Sequence, residues 1–398
     1  MRSAVLACWG AALVASWLPL CAEEPLVSKA YTEFYNLQYD RAIAGFTELV
    51  KEQPQDPAAY NHLAQAILYR DMFRAGALES ELVTGNNPFL RRPKVDASPE
   101  DQRRFDQSIG TAIRIATDRL ARNPRDIGAL YARGVSYGLR ANYNFLVRKA
   151  WRDALRDATS ARKDHNAVTE IDPNFIDARM VQGLHDYLVG SLPFTWRVLG
   201  FLVGFRGDKE EGIRTVEMVA QKGDINKIDA EILLCAIYRR EKQPQRAIPL
   251  LKSLVARFPG NYLLPMEMAQ MYGDMGEKDK ALAALDSLEK LKESGDPDLA
   301  GLKIEKVLFA KGNIRFWFND LDQALADMRA ATRSAEDLDL NTGVLAWMRL
   351  GQLYDLKGQH AAATEAYRRA IAFAPDSDAA KESRGYISNP YRRKRKAG

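Results

Sequence analysis

Nine residues near the end of the chain fix a two-helix unit by their spacing: Trp347, Leu350, Gly351, Tyr354, Gly358, Ala363, Tyr367, Ala370 and Pro375. Residues three, four and seven apart share a helix face, so Trp347, Leu350, Gly351 and Tyr354 form one stripe and Ala363, Tyr367 and Ala370 a second. Gly351, Ala363 and Ala370 are small where two antiparallel backbones must approach closely, and the larger residues fill the space around that crossing. Gly358 falls between the stripes, where a residue without a Cβ turns most easily, and Pro375 stops the second helix. A single pair of this kind cannot cover both of its apolar faces. It constrains the chain to a stack of like pairs, each burying its neighbour.

Copies of the unit recur upstream. The interval of 24 positions from Gly351 to Pro375 also separates Cys235 from Pro259, with Leu234, Tyr238, Ala247, Leu251 and Leu254 in the other roles. Met268, Ala269, Tyr272, Gly276, Ala281, Leu285 and Leu288 form the next copy, its final turn lengthened between 292 and 298. Leu308, Gly312, Ala324, Met328 and Ala331 form another, with Phe316, Trp317 and Phe318 crowding the turn between helices. Near the start, Ala30, Ala42, Phe46, Leu49 and Pro54 fit the frame, and Tyr60, Leu63, Ala64 and Ile67 open a second copy. Residues 71–104 interrupt it with Gly76, Gly85, Asn86, Asn87, Pro88, Pro93 and Pro99, a density of turn formers that reads as an insertion. Ala112, Ala116 and Pro124 then close the second copy, and Leu130, Gly134 and Tyr137 open a third, which runs to Pro173, about a dozen residues beyond the usual period of about 34. A fourth has Gly183 at its small site and a further insertion at 188–208. The expected fold is all-α: a right-handed superhelical α-solenoid of about eight helix pairs with enlarged middle repeats.

This pattern resembles the tetratricopeptide repeat (TPR) superfamily over most of residues 25–377. Within it, the stretch from Tyr187 to Asp208 is similar to a segment of a eukaryotic TPR-like family associated with mitochondria, inclusion clearance and lipid homeostasis, and marks a structural subtype. The TPR resemblance implies a scaffold that holds another macromolecule on its concave face, without cofactor or catalysis. That face is lined by first-helix positions not used for packing: Asn61, Gln65, Tyr131, Ile232, Ala236, Arg239, Arg240, Met266, Gln270, Met348, Gln352 and Asp355. Met and Ile beside Gln and Arg suit a helix or an extended peptide, apolar contacts giving affinity and polar ones register. TPR domains that clamp a terminal carboxylate do so with a Lys and Asn set, which this chain lacks at the matching positions.

The chain ends bear on compartment. Arg2, the apolar run Ala4–Leu20 and the small Ala22 before Glu23 and Glu24 have the layout of a cleaved secretory signal, so residues 1–22 are expected to be removed and the chain to be of an exported, bacterial type. Cys8 and Cys21 fall in that segment, which leaves Cys235 as a lone thiol on a packed helix face. Residues 23–225 then form N-terminal repeats with insertions, 226–387 regular repeats with a terminal helix, and 388–398 a basic, disordered tail. The formal net charge of +5 is concentrated there: Arg392, Arg393, Lys394, Arg395 and Lys396, with Arg2 in the signal, account for it and leave the body near neutral. A near-neutral body is not a nucleic-acid surface. A second class of function is a membrane-peripheral one, in which Phe194, Trp196, Phe201 and Phe205 of the apolar 188–205 segment insert and the basic tail meets anionic headgroups.

Catalytic constellations are missing from the sequence. It contains no Gly-rich phosphate loop, no His-Glu-x-x-His helix and no Gly-x-Ser-x-Gly elbow, and its four histidines lie in different repeats. The run from Asp337 to Gly343 imitates the opening of a calcium loop but has Thr342 at the sharp turn and Met348 in place of the bidentate Glu, so it reads as an inter-repeat turn with helix-capping acids.

Overall fold

The structure, a computed structural model, describes residues 25–78, 95–191, 206–335 and 338–393. These contain seventeen α-helices and no strand. Sixteen form eight consecutive pairs: α1 (Pro25–Tyr35) with α2 (Tyr39–Glu52), α3 (Pro57–Arg74) with α4 (Pro99–Arg122), α5 (Ile127–Tyr143) with α6 (Trp151–Ile171), and α7 (Arg179–Gly190) with α8 (Lys209–Lys222). Then come α9 (Lys227–Arg240) with α10 (Pro244–Arg257), α11 (Leu263–Asp274) with α12 (Lys278–Glu293), α13 (Ile304–Trp317) with α14 (Leu321–Ala331), and α15 (Leu340–Leu356) with α16 (His360–Phe373). A last helix, α17 (Asp378–Ser388), covers the open end of the eighth pair. The fold is the all-α solenoid that the repeats demand.

Local chemistry explains where helices start and how they cross. Asp56, Asp126, Asp339 and Ser377 each precede a helix and accept a hydrogen bond from a first-turn N–H, that of Ala58, Ala129, Thr342 and Ala380. Asp339 therefore serves as a helix cap and not as a calcium ligand. At the crossings a Cβ on Gly351 would lie 2.4 Å from the Tyr367 ring, and one on Gly134 2.6 Å from the His165 ring. The long third pair absorbs its extra residues in a 21-residue α6 and in a π turn, Asn144–Arg148, that ends at Lys149 in the left-handed region (φ 56°). Bidentate Arg133–Asp164 and Arg140–Asp157 pairs tie α5 to α6.

The solenoid also closes on itself. The end of α1 and the turn after it reach the fifth, sixth and seventh pairs, more than 190 residues away. Tyr35 donates its hydroxyl to Asp229 at the start of α9 (3.0 Å), Asn261 Nδ2 donates to the Tyr35 carbonyl (2.8 Å), Gly260 N–H donates to Asn36 Oδ1 (2.8 Å), and Gln38 donates to Asp298 (2.8 Å). Tyr35 packs on Phe258, and Phe73 on Tyr262. Gly76, in the left-handed region after α3 (φ 66°), leaves so little room that a Cβ there would lie 2.9 Å from Asp339 Oδ1 of the eighth pair, whose other oxygen binds Lys306 at 2.8 Å. One apolar cluster accordingly runs from Ala30 through Tyr143 and Val216 to Met271.

At this closure Asp229 is half-buried. Burial pushes its carboxyl up to about 6, against the pull of hydrogen bonds from Tyr35 and Gln65, which favour the charged form. Its folded-state pKa lies above that of a free aspartate, so the native chain holds an extra proton between 3.8 and about 6, and this contribution to stability is lost as pH rises through that window. In Asp229→Asn, which removes the titratable carboxyl and keeps one acceptor oxygen, the difference in unfolding free energy from wild type should grow in the variant's favour by roughly 2 kcal/mol between pH 4 and pH 8 in urea titrations. A pH-independent difference would show that Asp229 is not desolvated in solution.

The crossing geometry makes a paired prediction. Gly351→Ala should destabilise the chain by about 1–3 kcal/mol because the Tyr367 ring must move. Gly138→Ala, in the middle of α5 with no atom within 4 Å of its added methyl, should be neutral or stabilising by up to about 1 kcal/mol. Thermal unfolding of both variants reads the two signs, and equal losses would refute the close approach at Gly351.

Candidate functional site

The first helices of the pairs line the inner face, and most of the positions picked from the repeat frame are engaged there by the chain itself. Asn61, buried, donates to the Ala132 carbonyl (2.7 Å) and accepts from Ser136 Oγ (2.7 Å). Gln65 bonds Asp229. Tyr131 packs on Phe175 and accepts from Asn226 Nδ2 at 2.9 Å, in a loop whose backbone N–H groups at 224–226 are gathered by Asp177. These three do not line an open groove: α5 of the third pair sits against Asn61, and the start of the fifth pair sits against Gln65 and Tyr131. Arg239 is only 8 % exposed at its side chain and pairs with Glu267 (3.1 Å) and Asp274 (3.4 Å). Ile232 packs on the long apolar cluster, Met266 packs beside Tyr262 and Leu285, and Gln270 is half-buried. Arg240 is exposed and lies over the Tyr187 ring, 5.7 Å from its centroid. Phe194, Trp196, Phe201 and Phe205, with Lys394, Arg395 and Lys396 and residues 1–22, lie outside the described residues.

The last two pairs are different, for there the inner face holds an extended segment. Met348 is buried against Val344, Ala363 and Tyr367, and Gln352, buried too, accepts from Arg349 Nη1 at 2.7 Å. One turn on, Asp355 has a carboxylate with no solvent exposure that accepts from the Tyr367 hydroxyl (2.8 Å), meets His360 Nδ1 (2.7 Å), and accepts the backbone N–H of Tyr391 (2.7 Å). The hydrogen bond to Asp355 holds His360 above the ordinary histidine value.

Residues 389–393 therefore return across the ends of α13 and α15. Pro390 makes this possible: it forbids a further helical turn, and Asn389 before it is extended (φ −130°, ψ 95°). Tyr391 sits between Tyr386 and Phe316, with centroids at 5.4 and 6.1 Å. Arg393 places its guanidinium over the Phe316 ring (4.8 Å) and donates to the Phe316 carbonyl at the C-terminus of α13, where the helix dipole favours a cation. Arg349 lies over the same ring at 4.1 Å, and beside it the Trp317 indole is 61 % exposed. The tail that reads as disordered from residue 388 is, through Arg393, a seated strap, so neither Arg392 nor Arg393 starts a free basic extension. Asp355 was legible as an inner-face residue, whereas Phe316, Arg349 and Tyr391 were not. The signal for them is the Asn-Pro-Tyr step directly after a helix.

Chemically this is a binding arrangement: a fixed buried acceptor for a peptide N–H, an aromatic ring for a side chain and a helix end for a cation. Among the described residues no three His, Cys, Asp or Glu side chains are grouped to hold a metal ion, and no helix is long and apolar enough to cross a membrane.

Comparisons with known proteins bear on the repeats. Tetratricopeptide-repeat profiles match residues 27–70, 238–303 and 344–377. Over 116 residues the chain is 33% identical to the Homo sapiens protein O-mannosyl-transferase TMTC1, covering 29% of this chain and 12% of that protein. Over 168 residues it is 25% identical to a Drosophila melanogaster BBSome complex member BBS4 homolog, covering 42% of this chain and 31% of the relative. The matches thus span less than a third of either relative's length. Among solved structures, the APC/C hetero-tetramer Cut9-Hcn1 superposes with a TM-score of 0.49 at 13% identity, over 91% of this chain and 55% of that one. The three repeat matches fall in the first pair with α3, in the fifth and sixth pairs and in the eighth pair, and together with the helix-pair architecture they support a tetratricopeptide-repeat protein.

Proposed function

We propose that the chain is a non-catalytic adaptor that holds an extended segment of a partner protein on the inner face of its last two helix pairs. The observation that carries this reading is the Asp355 carboxylate, wholly buried yet spending one oxygen on the backbone N–H of an extended strand. Such an acceptor recognises main chain whatever its sequence, while Phe316 and Trp317 supply apolar surface beside it. The N-terminal half is a poorer candidate, since its inner positions Asn61, Gln65 and Tyr131 are bonded within the chain. The signal layout of residues 1–22 supports an exported location, so the partner is sought in the cell envelope.

Site-specific photo-crosslinking tests the reading. A photoreactive residue at Trp317, on the rim of the terminal groove, should trap a discrete partner protein from an envelope fraction. The same group at Leu155, exposed on α6 in the third pair, should not. Equal trapping at both positions, or none at 317, would overturn the assignment of this face.

A further inference from the structure

Building on that reading, we propose that residues 389–393 are an intramolecular occupant of the terminal groove, and that the partner segment which displaces them carries an aromatic residue two positions before an arginine. The strap itself displays this chemistry. Asn389 and Pro390 are exposed and contribute the extended conformation, so the seating rests on three contacts: the Tyr391 N–H on Asp355, the Tyr391 ring between Phe316 and Tyr386, and the Arg393 guanidinium on the ring and carbonyl of Phe316. The first selects an extended backbone, the second an aromatic side chain, the third a cation two residues later. In an extended strand, residues two apart point the same way, which is why Tyr391 and Arg393 can share Phe316 while Arg392 between them is exposed.

Asp355 is held by Tyr367 and His360 apart from the strap, and Phe316 packs in the cluster of α13, α14 and α15, where Tyr391 lies against it. The exposed Trp317 ring next to Phe316 extends the aromatic surface past the strap, so a longer incoming segment gains a contact that the strap does not use. The strap's advantage is its tether: a segment joined to α17 by a few residues has an effective concentration on the order of millimolar. If the same contacts bind in trans with a Kd on the order of 0.1 mM, the tether weakens an incoming segment about tenfold, and a partner adding the Trp317 contact overcomes it.

The test uses the full chain and a fluorescein-labelled, amidated peptide, Ser-Asn-Pro-Tyr-Arg-Arg, read by fluorescence anisotropy. Wild type should bind the probe weakly. Tyr391→Ala and Arg393→Ala, each a substitution in a terminal segment and checked for an unchanged melting curve, should each bind it about tenfold more tightly, and unlabelled peptide should compete. A probe with Ala in place of Tyr should lose binding to all three. Equal affinity of wild type and both variants, no binding to any, or equal binding of the Ala-substituted probe would overturn the proposal. The adaptor reading fails separately: a partner trapped at position 317 with no gain of probe binding in the variants sinks the self-occupied groove alone, whereas no trapping at 317 even in Arg393→Ala sinks the adaptor reading.

Discussion

The docking of the first helix pair onto the fifth, sixth and seventh governs the rest of this molecule. Stacked helix pairs ordinarily touch only their neighbours, and their stability is close to a sum of local terms. Here Tyr35, Asn36 and Gln38 bridge to Asp229, Gly260, Asn261 and Asp298, so residues far apart in sequence share one buried network. The ordering entropy of that long loop is met once, and thereafter neither the N-terminal pairs nor the middle ones can fray alone without exposing Tyr35 and Phe258. The closure also occupies part of the inner face of the N-terminal half, at Gln65 and Tyr131.

The helix pairs were legible because their signal is local. Gly351, Gly134 and Gly183 mark crossings where the structure has no room for a Cβ, and Asp339 announces a helix start. The inner-face residues were only partly legible, for a physical reason. The repeat frame tells which way a side chain points from its own helix, but not what stands opposite. Asn61, Gln65 and Tyr131 do point inward, yet the chain's curvature brings Ala132, Asp229 and Asn226 to meet them. Curvature is set by many small packing angles between pairs, none of which is encoded in a single residue. Arg239 was misread in the same way: Glu267 and Asp274 come from the next pair's first helix, so the cation that looked free is a bridge between repeats.

Placement of charge follows one rule throughout. The body is near neutral, but its inner carboxylates are matched individually, to Arg133 and Arg140 across the third pair and to Lys306 at the eighth. Asp229 accepts from the Tyr35 hydroxyl and the Gln65 amide, and Asp355, beside its pairing with His360, from the Tyr367 hydroxyl and the Tyr391 N–H. One fastens the superhelix, the other an extended strand, and both do so from a desolvated position where a hydrogen bond to a carboxylate is strong and geometrically strict.

Cys235 lies on α9, the helix whose first turn carries Asp229, and its thiol is buried, with burial pushing its ionisation well above the ordinary range. A thiolate is the form that reacts, so in the closed molecule alkylating reagents and oxidants find almost nothing to attack. The rate at which this cysteine is labelled is thus a built-in clock for how often the packing around α9 opens, read without any engineered probe.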